Sequence, residues 1–161
     1  MKTANGYSAA QIALHWVVAV LVAANYFLGD GMERALKQRI EQGAEPGTRA
    51  GLHVWIGVAV LVLVLVRIAV RFRSGAPGVP DGTPGAMRTA ARLGHLALYA
   101  LMIGVPLGGA AAWFGGFRSV GEVHALGGNL LMLVAGLHAL AALVHQFVLK
   151  DGLLMPMLRP G

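Results

Sequence analysis

The chain has 161 residues, a net charge of +6, 57% hydrophobic residues and only 12% charged ones. Soluble domains average about 25% charged residues, so this chain lacks the polar surface of a water-soluble domain, and its aliphatic richness excludes disorder. With no Cys it has no disulfide, thiolate zinc site, Cys-ligated iron–sulfur cluster, Cys nucleophile or covalently attached c-type haem.

A bilayer core of about 30 Å takes roughly 20 apolar residues per helix. The first such segment runs from about Ala9 to Leu28 and is interrupted only by Gln11, His15 and Asn25. It has no clear small-residue cleavage site, which argues against a signal peptide. Residues Met32 to Thr48 are mixed in charge and predict a short surface helix ending before Pro46-Gly47. The second span runs from about Gly51 to Val70, with Arg67 as its one charge. Residues Arg73 to Thr89 hold Gly75, Pro77, Gly78, Pro80, Gly82, Pro84 and Gly85, the mark of a linker. The third span runs from about Leu93 to Ala112. The fourth carries no Lys, Arg, Asp or Glu from Val123 to Leu149. None of the four alternates as a strand does. The expected fold is all-α: one integral membrane four-helix bundle over residues 1–161, with no soluble second domain.

Four spans place both termini on one side. That side, with its flanking helix ends, holds Lys2, Arg67, Arg71, Arg73, Arg88, Arg92, Lys150 and Arg159 against Asp81 and Asp151, a net of +6. The other side holds Arg34, Lys37, Arg39, Arg49 and Arg118 against Asp30, Glu33, Glu41, Glu45 and Glu122, a net of zero. Basic residues stay cytoplasmic, so both termini are expected inside. The basic excess then reports orientation. Nucleic acid is not an expected partner, because no basic patch is interleaved with aromatics in a soluble domain. Trp16, Trp55 and Trp113 fit an aromatic belt, and Arg67, Arg71 and Arg73 read as positive-inside anchors, with the carboxylates of a bound group or lipid phosphates as alternative partners.

Ionisable residues inside a membrane are costly, and function is their usual explanation. His15 lies in the cytoplasmic half of span one, and His138 in the cytoplasmic half of span four. His53 opens span two and His124 opens span four, both on the outer side. The 14 residues from His124 to His138 turn a helix by about 1400°, roughly 40° short of four turns, and rise about 21 Å. Both therefore share one face at two depths. His53 pairs with His124 and His15 with His138. An apolar bundle with His but without Cys, Asp or Glu at those depths is a poor zinc or di-iron site, whereas a porphyrin held between two His needs only facing helices and apolar walls. Gly57, Gly127 and Gly128 follow a His by one turn, where a ring must approach backbone. His95 and His145 fall at the inner interface, where a quinone headgroup could collect electrons and protons.

These residues resemble the bacterial cytochrome b561 family of small four-helix, di-haem membrane proteins. The matching stretches are Tyr7-Ser8, Gln11-Ile12 and His15-Trp16 in span one, then His53, Gly57, Val66-Arg67 and Arg71 in span two. Leu93-Gly94-His95-Leu96 opens span three. His124, Asn129, Gly136-Leu137-His138-Ala139, Ala141-Ala142-Leu143, His145 and Lys150-Asp151 follow. The resemblance covers nearly the whole chain. It implies two non-covalent haem b groups in the bacterial inner membrane, with His15 and His138 as axial ligands of the inner haem and His53 and His124 of the outer one. It further implies electron transfer from a small periplasmic donor to ubiquinone, the best-described activity being superoxide:ubiquinone oxidoreduction. His95, His145 and Arg71 are then the quinone-side candidates, and Arg49 and Arg118 the donor-side candidates for an anion such as superoxide. Two other readings stand beside it: an electron-transfer and anchor subunit for a partner dehydrogenase or hydrogenase, and a scaffold or proton-linked transporter without redox chemistry.

Overall fold

The computed structural model describes residues 6–75 and 84–161, which form helices α1 (Ala9–Leu28), α2 (Met32–Gln42), α3 (Thr48–Ser74), α4 (Gly85–Gly115) and α5 (Arg118–Val144) with no strand among them. A π-helical turn, His145–Leu149, prolongs α5, and a 3-10 turn, Met155–Met157, follows it. Helices α1, α3, α4 and the prolonged α5 are long and apolar enough to cross a membrane. The fold is thus an all-α membrane bundle.

Helix α1 has the bounds its apolar run predicts, but the other three exceed theirs. An apolar run marks only the hydrocarbon layer. A helix can continue beyond it, because long cationic side chains there can extend to water, and Arg71, Arg73, Arg88 and Arg92 lie in these helical extensions. The linker expected over Arg73–Thr89 is correspondingly shorter, because Arg73, Ser74 and Gly85–Thr89 are helical. Its Gly- and Pro-rich middle, 76–83 with Asp81, lies outside the described residues, as does Lys2.

Local chemistry sets the ends. Ser8 and Gln11 form a capping box at the start of α1, with Gln11 N donating to Ser8 Oγ (3.3 Å) and Ser8 N to Gln11 Oε1 (2.9 Å). Gln11 Nε2 also donates to the Gly75 carbonyl at 2.9 Å, tying α1 to the end of α3. Helix α2, the predicted surface helix, is bracketed by Gly31 (φ +81°) and Gly43 (φ +62°). Glycine adopts this left-handed conformation without steric cost.

Helix α1 packs on α3, α3 on α4 and α4 on α5, while α1 and α5 touch sparsely. One core cluster joins Val18, Val60 and Val64 of α1 and α3, with Tyr99, Met102 and Ile103 of α4 against it. The second joins Leu36 of α2 to Ala50, Ala112 and Trp113. Trp113 is therefore not a belt residue: it is buried, with the Arg39 guanidinium 5.1 Å from its ring. The belt fails there because α2 folds over the end of α4. Trp55 is exposed as expected. Large apolar side chains such as Phe27, Leu126 and Phe147 also face outward, as lipid contact requires.

The start of the described chain and its C-terminal turn meet at one end of the bundle. Trp16 Nε1 donates to the Met157 carbonyl (3.0 Å) and Gly161 N to the Tyr7 carbonyl (3.3 Å). We call this the terminal end, and the end covered by α2 the distal end.

Candidate haem stations

At the distal end the ring centroids of His53 and His124 lie 5.9 Å apart with the planes at 86°. Metal–imidazole bonds of about 2.0–2.1 Å place two rings on one metal with centroids about 6 Å apart. His53 Nδ1 donates to the Asn25 carbonyl at 3.0 Å. Asn25 lies in the last turn of α1, where carbonyls have no partner within the helix. Gly29 N and Arg49 Nη2 take the next two, donating to the carbonyls of Tyr26 (3.1 Å) and Phe27 (2.7 Å). His124 Nδ1 donates to the Val105 carbonyl at 2.7 Å. A carbonyl only accepts, so each Nδ1 carries the proton and each Nε2 keeps its lone pair for a metal.

The surroundings suit a flat ring. A cavity of about 810 Å³ is lined by both His with Asn25, Gly57, Gly109 and Gly128. That volume is in the range of cofactor sites. A Cβ on Gly109 would stand 2.8 Å from His124 Cε1, so only glycine admits this imidazole against α4. A Cβ on Gly128 meets no protein atom within 4 Å, and one on Gly57 meets only Asn25. Asn25 Oδ1 is buried there and has no partner among the described residues. Tyr26 Oη donates to Asn129 Oδ1 at 2.9 Å on the same wall.

At the terminal end three imidazoles form a row. His15 and His138 have centroids 6.4 Å apart at 71°, and His95 lies 5.2 Å from His138 at 66°. The first separation fits a shared metal, and the second is shorter than about 6 Å. Among the described residues no three His, Asp or Glu side chains gather around one point, as a bare ion would need. Helix α4 starts at Gly85, well before the apolar run, so His95 lies inside the bundle beside His138. His145 stands apart on the π-turn, its Nδ1 donating to Asp151 Oδ2. That bond holds the Asp151 carboxyl below the usual carboxylate range. Lys150, in a left-handed conformation (φ +54°), turns the chain so that the two meet. Arg71 lines a small terminal pocket with Tyr7, Gln11, Arg67, Tyr99 and Met157.

The structure thus brings together both predicted His pairs. It does not leave Arg49 and Arg118 as free cations. Arg49 reaches Asp30 at 3.8 Å and Arg118 reaches Glu33 at 3.9 Å, in solvent-exposed pairs. Sequence reasoning missed the carbonyls of Asn25 and Val105, the close approach at Gly109, and Asp151 as partner of His145. The Gly108-Gly109 doublet was a usable signal, but a backbone carbonyl leaves none.

A family model for prokaryotic cytochrome b561 matches residues 6–160. The chain is also 48% identical over 164 residues to cytochrome b562 of Cereibacter sphaeroides, covering 99% of each chain. Four spans, two His pairs and both similarities agree: the chain belongs to the prokaryotic cytochrome b561 family of membrane cytochromes b, whose chemistry is haem-mediated electron transfer.

Proposed function

We propose that the chain is one transmembrane domain of the bacterial inner membrane holding two haem b groups. His53 and His124 hold the distal one, and His15 and His138 the terminal one. The observation that carries this is the pair of His–His separations near 6 Å at two depths, 5.9 and 6.4 Å. Each haem supplies a one-electron carrier between its two imidazoles. The chain's own residues do the rest. The carbonyls of Asn25 and Val105 fix the proton on Nδ1 and orient the distal rings. Gly57, Gly109 and Gly128 clear the space, and apolar walls keep water out.

The positive-inside rule makes the terminal face cytoplasmic and the distal face periplasmic. The overall reaction takes one electron from each of two superoxide anions, which leave as dioxygen on the distal side. Ubiquinone at the terminal side takes those two electrons and two protons and becomes ubiquinol. His145, oriented by Asp151, stands where protons enter, with Arg71 and His95 beside the quinone. Moving each electron inward opposes an inside-negative potential by about 2.3 kcal/mol per 100 mV, so the redox step must be downhill by more.

The exposed, loosely paired Arg49 and Arg118 are among the distal cations available to an anion, because such pairs are weak. Their neutrality with Asp30 and Glu33 favours a second reading, a subunit that receives electrons from a partner dehydrogenase or hydrogenase. Haem quantification on the purified chain tests the core of the proposal. Two haem b per chain are expected, and one or none overturns it. Stopped-flow mixing with superoxide and a ubiquinone then separates the readings. Haem reduction followed by ubiquinol formation supports the oxidoreductase, and haems inert to superoxide favour the subunit.

A further inference from the structure

Among the described residues one cation within a span, the half-buried Arg67, has a buried guanidinium nitrogen without a partner. Arg67 lies in α3, 14 residues after His53, as His138 lies 14 after His124 in α5. Fourteen residues return a helix to nearly the same face about 21 Å on. Arg67 therefore holds on α3 the position that His138 holds on α5. Every spanning helix places one such side chain at this level: His15 from α1, Arg67 from α3, His95 from α4 and His138 from α5. The Arg67 charge is close enough to bear on all three imidazoles.

Nη1 of Arg67 is buried and has no hydrogen-bond partner among the described residues. Nor does Arg67 join any ion pair among them. The sequence offers no relief nearby: α1, α3 and α4 contain no Asp or Glu, and the single acid of α5, Glu122, is near its distal start. A buried cation without a counter-ion is costly. A planar guanidinium is best matched by a carboxylate, which it binds through two parallel hydrogen bonds.

We propose that Arg67 is the anchoring cation of the terminal station, holding a carboxylate of the haem that His15 and His138 bind and making that haem the easier of the two to reduce. The cation that lines the distal cavity, Arg118, is solvent-exposed and faces Glu33, whereas Arg67 keeps a buried, unpartnered nitrogen among the described residues, so the asymmetry directs electrons from distal to terminal. This rests on the two-haem reading above. It adds that the direction of flow is set by one residue of α3 that is not a ligand.

The test is a potentiometric titration of the holoprotein, followed by visible spectroscopy, for the wild type, R67Q and R67K. His138→Ala assigns the terminal component. In R67Q the terminal haem should bind electrons about tenfold less favourably, a fall of about 59 mV for one electron, with the distal component unmoved. R67K should restore most of the shift. Loss of the terminal haem in R67Q but not in R67K also supports the anchoring role. An unchanged terminal potential in R67Q overturns it. Loss of that haem in both variants overturns it too, since packing and not charge would then be at work. A wild type with fewer than two haems overturns the two-station reading itself, a failure seen before any variant is measured.

Discussion

The distal and terminal stations use the same residue pair and hold it differently. At the distal end each imidazole is fixed by a backbone carbonyl, from Asn25 or Val105, and faces a cavity walled by glycine. At the terminal end the rings pack edge to face in the row His15, His138, His95, beside the half-buried Arg67. A hydrogen bond to backbone sets tautomer and angle whatever occupies the site. A packed row of rings leaves the choice of partner to distance and charge. The distal imidazoles thus have their orientation set by backbone, and the terminal ones meet neighbouring side chains instead.

Replacing ligands breaks this comparison most severely. His124→Ala and His138→Ala should each reduce haem content from two to one per chain, measured as the pyridine haemochrome, and remove different spectral components. His95→Ala then separates the row: both haems should remain, with a shifted terminal spectrum. Loss of the terminal haem would instead make His95 the ligand.

Glycine substitutions sharpen the distal side. Gly109→Val places a side chain in the space of the His124 ring, so the distal haem should be lost or its spectrum altered while the terminal one stays. Gly128→Leu meets no protein atom at its Cβ. The variant should fold normally, as judged by far-UV circular dichroism, yet retain only the terminal haem.

The smallest effect concerns the terminal face. The bond from His145 depresses the Asp151 carboxyl in the folded chain below its ordinary 3.8. A depressed carboxylate stabilises the fold at pH values above its unfolded value, and this contribution disappears as pH falls through the folded one. The C-terminal turn, which binds Trp16 through Met157, should therefore loosen only below about pH 4. Trp16 fluorescence reports this, and Asp151→Asn should show the loosened signal at neutral pH.

Some of this was legible in the residues. Apolar run length fixed the four spans because the bilayer sets one thickness. It understated the ends of α3, α4 and α5, because a helix does not stop where the hydrocarbon does. Depth along each span, with the rise of a helix, paired His15 with His138 and His53 with His124. Trp113 misled, because an aromatic near a helix end looks like a belt residue until α2 folds over it. Arg49 and Arg118 were donor-side candidates by their place beside His53 and His124, and their partners Asp30 and Glu33 come from other parts of the chain.

The sequence by itself determined the membrane class, the four spans and the relative depth of the four paired imidazoles, since all three follow from local chain geometry and the solvent. Only the tertiary structure decided which nitrogen each distal His keeps free, that Gly109 makes room for His124, that His95 joins the terminal row, and that Arg67 has no counter-ion among the described residues. Those facts depend on carbonyls and side chains brought together from different helices, and no spacing along one chain relates them.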